Sequence, residues 1–99
     1  MIIEKKVYRL KDKERLKAVE IKKEDQRIFY TYNYQIFNGK EWKTPVRWDN
    51  YQSQPHVDNF DENGNLLNTS STRDKTLKEI LELIDIFGKN LLTMDIKKL

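Results

Sequence analysis

The stretch Arg27-Ile28-Phe29-Tyr30-Thr31-Tyr32-Asn33-Tyr34-Gln35-Ile36-Phe37 alternates along its whole length. Ile28, Tyr30, Tyr32, Tyr34 and Ile36 share one parity, and Arg27, Phe29, Thr31, Asn33 and Gln35 share the other. A period of two sends each set to its own face of a β-strand, whereas a helix would scatter both sets around its axis. Asn38-Gly39 follows at once, the dipeptide suited to a tight type I′ turn, where both central residues need positive φ. The chain is therefore expected to fold straight back into a strand over Glu41 to Trp48. Within it, Pro45 removes an N–H from the ladder, which places that point at an edge or at a bulge.

Downstream, Tyr51 to Pro55 reads as a polar connection and His56 to Phe60 as a short extended segment. Asn63-Gly64 gives a second hairpin signal before Leu66 and Leu67. Upstream, Ile2 to Leu10 reads as a strand and Lys11 to Glu14 as a polar turn. The composition of Arg15 to Lys23 suits a helix, but Val19 and Ile21 at period two favour a second strand, closed by the turn Glu24-Asp25-Gln26.

Helical spacing begins only after Ser70. Thr76 and Glu79 fit a capping box, and Leu77, Ile80, Leu81, Ile84, Phe87 and Leu91 fall on one stripe suited to covering a sheet. The sequence thus predicts a single α+β domain over residues 1–99. It has about six antiparallel strands in a meander across residues 2–69 and one amphipathic helix across 75–91. Gly88 ends or weakens that helix, and residues 92–99 are expected to form a mobile or partner-binding tail, being apolar at Leu92, Met94 and Ile96.

A chain of 99 residues has room for one core. Its hydrophobic fraction of 37% sits in patterned runs with two Trp, five Tyr and four Phe, so packing and not disorder is expected. No cysteine is present, which excludes disulfides, thiolate nucleophiles and sulfur-ligated zinc. No apolar run approaches the roughly 20 residues of a membrane span, and nothing resembles a secretory h-region, so a soluble, cytoplasmic protein with no membrane partner is expected. The small size makes a homodimer or a partner protein a reasonable expectation. A net charge of +3 favours polyanions weakly, with cations gathered near both ends.

No phosphate loop, nucleophile elbow or paired-histidine metal motif occurs, and no cofactor or metal is expected. One neighbourhood carries chemistry: Arg47-Trp48-Asp49-Asn50, followed by Pro55 and the single histidine, His56. Arginine can hold a phosphate, and a carboxylate can orient an imidazole that moves a proton near neutral pH. The 2′-hydroxyl of RNA needs only a base to become a nucleophile. Glu20 offers a second carboxylate, while Tyr32, Tyr34 and Trp48 offer stacking surfaces and Lys22 and Asn50 further contacts for nucleic acid. The alternatives at these positions are an Arg-Asp ion pair beside a turn-forming Asn, and tyrosines packed in the core.

Across residues 15–60 the chain resembles the TumE-like toxin family of prokaryotic toxin-antitoxin systems. Arg15-Leu16 leading to Glu20 is similar to the family's Glu-bearing strand, and Tyr32-Asn33-Tyr34-Gln35 to its Tyr-x-Tyr-His-aromatic-Gln strand, with Asn33 where the family carries His. Arg47-Trp48-Asp49-Asn50 matches the family's Arg-aromatic-Asp-Asn, and Pro55, His56 and Phe60 follow in register without a gap. Ser53, Gln54, Glu62, Asn63 and Asn65 also stand at family histidine positions. The resemblance implies a metal-independent ribonuclease toxin whose partner is a cognate antitoxin, commonly a helix-turn-helix protein. His56, Arg47, Asp49 and Glu20 would form its catalytic set.

Overall fold

The computed structural model describes residues 1–99 as six strands in one antiparallel sheet of order β1-β2-β3-β4-β5-β6. They are β1 (Ile2–Arg9), β2 (Glu14–Lys23), β3 (Gln26–Phe37), β4 (Trp42–Asp49), β5 (His56–Phe60) and β6 (Leu66–Ser71). Each strand pairs with the next in sequence, the α+β meander expected from the patterning. A single α-helix, α1 (Leu77–Phe87), follows, and short 3-10 turns cover Gly88–Leu92 and Ile96–Lys98.

One face of the sheet is covered and the other is open. Leu16, Ala18, Tyr30, Tyr32, Tyr34, Val46, Trp48 and Val57 form the covered face, packed against Ile80, Ile84, Leu91 and Ile96. Aligned in register across the strands, Leu16, Tyr34 and Val46 make one row and Ala18, Tyr32, Trp48 and Val57 the next. On the opposite face, Arg15, Lys17, Asn33, Gln35, Arg47 and His56 are half-buried or exposed, while Asp49 and Asp58 are buried. α1 starts as the sequence predicts: Thr76 Oγ1 accepts from Glu79 N at 3.2 Å and Glu79 Oε1 accepts from Thr76 N at 3.2 Å. It stops at Gly88, whose φ of +52° takes the chain out of the helix.

Two local expectations change, and the one for Pro45 holds. The tight turn with two positive-φ residues is at Glu24 (φ +53°) and Asp25 (φ +62°), not at Asn38-Gly39. There only Gly39 is left-handed, and the hairpin uses four residues between the Phe37–Trp42 pair, with Asn38 Oδ1 accepting from the Lys40 and Glu41 amides. A side-chain acceptor replaces the second left-handed residue. Pro45 lies where the register slips between Tyr34–Val46 and Ile36–Lys43, and β5 pairing starts only at Val46. It is thus at a bulge on one side and unpaired on the other. Finally, the C-terminal residues fold back on the chain itself: Leu91 and Ile96 are buried in the core, and Met94 and Leu99 pack on it. Of the apolar residues expected in a mobile or partner-binding tail, Met94 and Ile96 complete the covered face instead, while Leu92 stays exposed. No helix is long and apolar enough to cross a membrane.

Candidate functional site

Antiparallel pairing of β4 and β5 sets Asp49 opposite His56 and Arg47 opposite Asp58. All four have the parity of the open face, so their side chains meet there. His56 Nε2 lies 2.9 Å from Asp49 Oδ1 and 3.5 Å from Asp58 Oδ2. Arg47 donates to Asp58 Oδ2 from Nη2 at 2.8 Å and from Nε at 3.1 Å, and its Nε is 3.4 Å from Asp49 Oδ2. Two further donors reach the carboxylates: Thr69 Oγ1 donates to Asp58 Oδ1 at 2.7 Å, and Tyr51 N to Asp49 Oδ1 at 3.0 Å.

The arrangement is layered. Asp58 and Asp49 side chains are only 3% and 9% exposed, whereas His56 is 20% and Arg47 38% exposed. The carboxylates lie beneath, and His56 and Arg47 lie nearer solvent, with the Arg47 guanidinium 4.9 Å from the Phe60 ring centre. Between the strands, Gln52 and Ser53 both take positive φ, at 56° and 58°. This strained loop delivers the Gln54 carbonyl to 2.9 Å from His56 Nδ1. Each ring nitrogen of His56 thus faces an oxygen acceptor, Gln54 O at Nδ1 and Asp49 Oδ1 at Nε2. Asp49, His56 and Asp58 have the spacing of a metal-ligand set, their ligand atoms lying within 4.8 Å of one another. Three of the four carboxylate oxygens already lie within hydrogen-bond reach of donors from the chain, however, the fourth, Asp49 Oδ2, is ion-paired with Arg47 at 3.4 Å, and Arg47 supplies the charge that a cation would bring.

Of the residues singled out from sequence, Arg47, Asp49 and His56 converge. The rest do not. Glu20 is on the covered face, where it accepts from Tyr32 Oη at 2.6 Å and sits 4.0 Å from Lys22 Nζ. Lys22 is held there, 3.4 Å from Glu4. Tyr32 and Tyr34 are fully buried, and Trp48 is 1% exposed, so no base can stack on them. The tyrosine hydroxyls instead serve the core: Tyr34 donates to the buried Glu14, and Tyr30 accepts from the Lys75 amide. Burial raises all three phenols, that of Tyr30 to about 12, and the neighbouring carboxylates raise Tyr32 and Tyr34 further. Asn50 is a structural clamp, accepting from Tyr30 N at 2.8 Å and donating to Ile28 O at 3.3 Å where β4 has ended.

Sequence reasoning missed Asp58 and Thr69. Asp58 was legible in principle, because His56-Val57-Asp58 puts an acid on the histidine's own face two residues away. Thr69 required the β5–β6 register, in which it faces Asp58. No family model, curated protein or solved structure matches the chain.

Proposed function

We propose that the chain is a toxin-type ribonuclease that cleaves RNA without a metal ion, acts in the cytoplasm and is held in check by an antitoxin protein. The observation that supports this most is the His56–Asp49 pair beside Arg47. Nε2 is fixed against the buried carboxylate, which leaves Nδ1 as the solvent-side nitrogen, held only by the carbonyl of the exposed loop residue Gln54. Release of that contact frees Nδ1 to exchange a proton with a 2′-hydroxyl or a leaving oxygen, while Asp49 stabilises the charged ring. Arg47, the most exposed of the four, is placed to hold the scissile phosphate. The resemblance to the TumE-like family supports the same reading through Arg47, Asp49 and His56; Glu20 has no part in it.

One observation favours a second reading, a non-catalytic RNA-binding protein: both ring nitrogens of His56 are already bonded within the protein. Incubating RNA with the purified chain in EDTA separates the two. Cleavage by the wild type that falls about 100-fold or more in His56→Ala, and persists in Tyr32→Phe, supports the ribonuclease. Binding with no cleavage supports the second reading, and cleavage indifferent to His56→Ala sinks the proposed site.

A further inference from the structure

On the open face, away from the His56 cluster, Arg15 is locked in place yet unneutralised. Its guanidinium lies 4.0 Å from the centre of the Trp42 ring, and its Nε donates to Gln35 Oε1 at 2.7 Å. Gln35 is itself oriented by donating to Thr44 Oγ1 at 3.0 Å, and Trp42 is braced by Phe37 with ring centres 5.4 Å apart. Neither terminal nitrogen of Arg15 has a partner in the structure, so a fork of N–H donors is presented in a fixed position. Directly opposite in register on β1 stands Arg9, a second cation with no carboxylate partner. Like charges facing each other across a strand pair are unfavourable unless something anionic lies between them. Lys17, exposed and two residues further along β2, adds a third cation on the same face.

We infer that Arg15, with Arg9 and Lys17, forms a phosphate-binding subsite for single-stranded RNA, and that the Trp42 and Phe37 rings beside it carry a base. The inference rests on the RNA reading above and adds where the strand runs. Arg15 is two residues and two strands away from Arg47, a span of about 12 Å. A short length of RNA backbone bridges that distance, so a strand held at Arg15 reaches the His56 cluster. The chemistry matches: a guanidinium fork recognises phosphate oxygens in pairs, and an aromatic ring accepts any base. An Arg stacked on Trp loses little freedom when it binds, which a free lysine would not match.

The test is fluorescence anisotropy with a labelled 2′-O-methyl RNA oligonucleotide, which lacks the nucleophile and so reports binding alone. The full chain is compared with Arg15→Ala, Arg15→Lys, Arg9→Ala and, as a control in the β3–β4 loop, Lys40→Ala. Arg15→Ala is expected to weaken binding about tenfold and to lower the slope of log affinity against log salt by about one. Arg15→Lys should keep the slope while losing most of the affinity, Arg9→Ala should weaken binding severalfold, and Lys40→Ala should stay within about twofold of wild type. Should Arg15→Ala fail to give the wild-type circular dichroism spectrum, Arg15→Lys and Arg9→Ala decide the matter. Tight wild-type binding unchanged in the Arg15 and Arg9 variants overturns this subsite and leaves the RNA reading standing. No wild-type binding at low salt overturns both. Polyglutamate binding more tightly than the oligonucleotide, and depending on Arg15, would assign the site to an acidic protein and overturn the proposal.

Discussion

Arg47 reaches across from β4 to close on a single carboxylate oxygen of Asp58, Nη2 at 2.8 Å and Nε at 3.1 Å, while Thr69 donates to the other oxygen at 2.7 Å. The carboxylate is almost completely buried, and these bonds offset its desolvation. Asp58→Ala removes the acceptor for three donors and leaves Arg47 and His56 facing Asp49 alone. Its expected cost is about 3 kcal/mol in urea unfolding, and Asp58→Asn, which keeps an acceptor oxygen, should cost less. A loss below about 1 kcal/mol for Asp58→Ala would mean the cluster does not hold β5 to β4.

The tyrosine row belongs to the core. Tyr34→Phe keeps the ring but strips the donor from Glu14, which is 8% exposed. An unmet buried acceptor costs about 1–3 kcal/mol, so thermal unfolding should shift down while affinity for RNA is unchanged. Weakened RNA binding at unchanged stability would return Tyr34 to the nucleic-acid surface.

Lys75 is fully buried just before α1, and its Nζ has no hydrogen-bond partner. Burial, with Arg73 nearby, holds its ammonium below the ordinary lysine value of 10.5. The unfolded chain then binds more protons than the folded one over the window between the lowered value and 10.5, so this group's contribution to stability rises with pH there. Lys75→Met should stabilise the protein by about 1–3 kcal/mol at neutral pH, an advantage that shrinks as pH approaches 10.5. Urea midpoints measured at pH 7 and pH 10 check it: destabilisation, or a gain that grows with pH, contradicts this reading.

Glu24 and Asp25 hold left-handed backbone without glycine. Replacing them with Asn-Gly, which the type I′ turn accommodates without strain, should raise stability by about 1 kcal/mol and the melting temperature by about 4–8 °C. An unchanged or lower melting temperature would show that the turn is not strained.

These sites also mark where sequence reading reaches its limit. Alternation from Arg27 to Phe37 carried the sheet, and Thr76 with Glu79 carried the helix start, because both depend on neighbours close in sequence. The face assignment needed more. Tyr32 reads as a stacking platform or as core from one strand alone, and only α1 packing over its side of the sheet decides. Arg47, Asp49 and His56 were found because they are near in sequence as well as in space, whereas Glu20 shares their chemistry but has the wrong parity. Arg15 and Trp42 meet through cross-strand register, which local sequence does not encode.

The ends left on a cleaved RNA test the ribonuclease most directly. A 5′-labelled single-stranded RNA incubated with wild-type protein in EDTA, then analysed by mass spectrometry, should give 2′,3′-cyclic phosphate and 5′-hydroxyl termini. These are the products of attack by the RNA's own 2′-hydroxyl with His56 moving the proton. Intact RNA in EDTA, or 3′-hydroxyl and 5′-phosphate termini that appear only when a divalent metal is added, would contradict it.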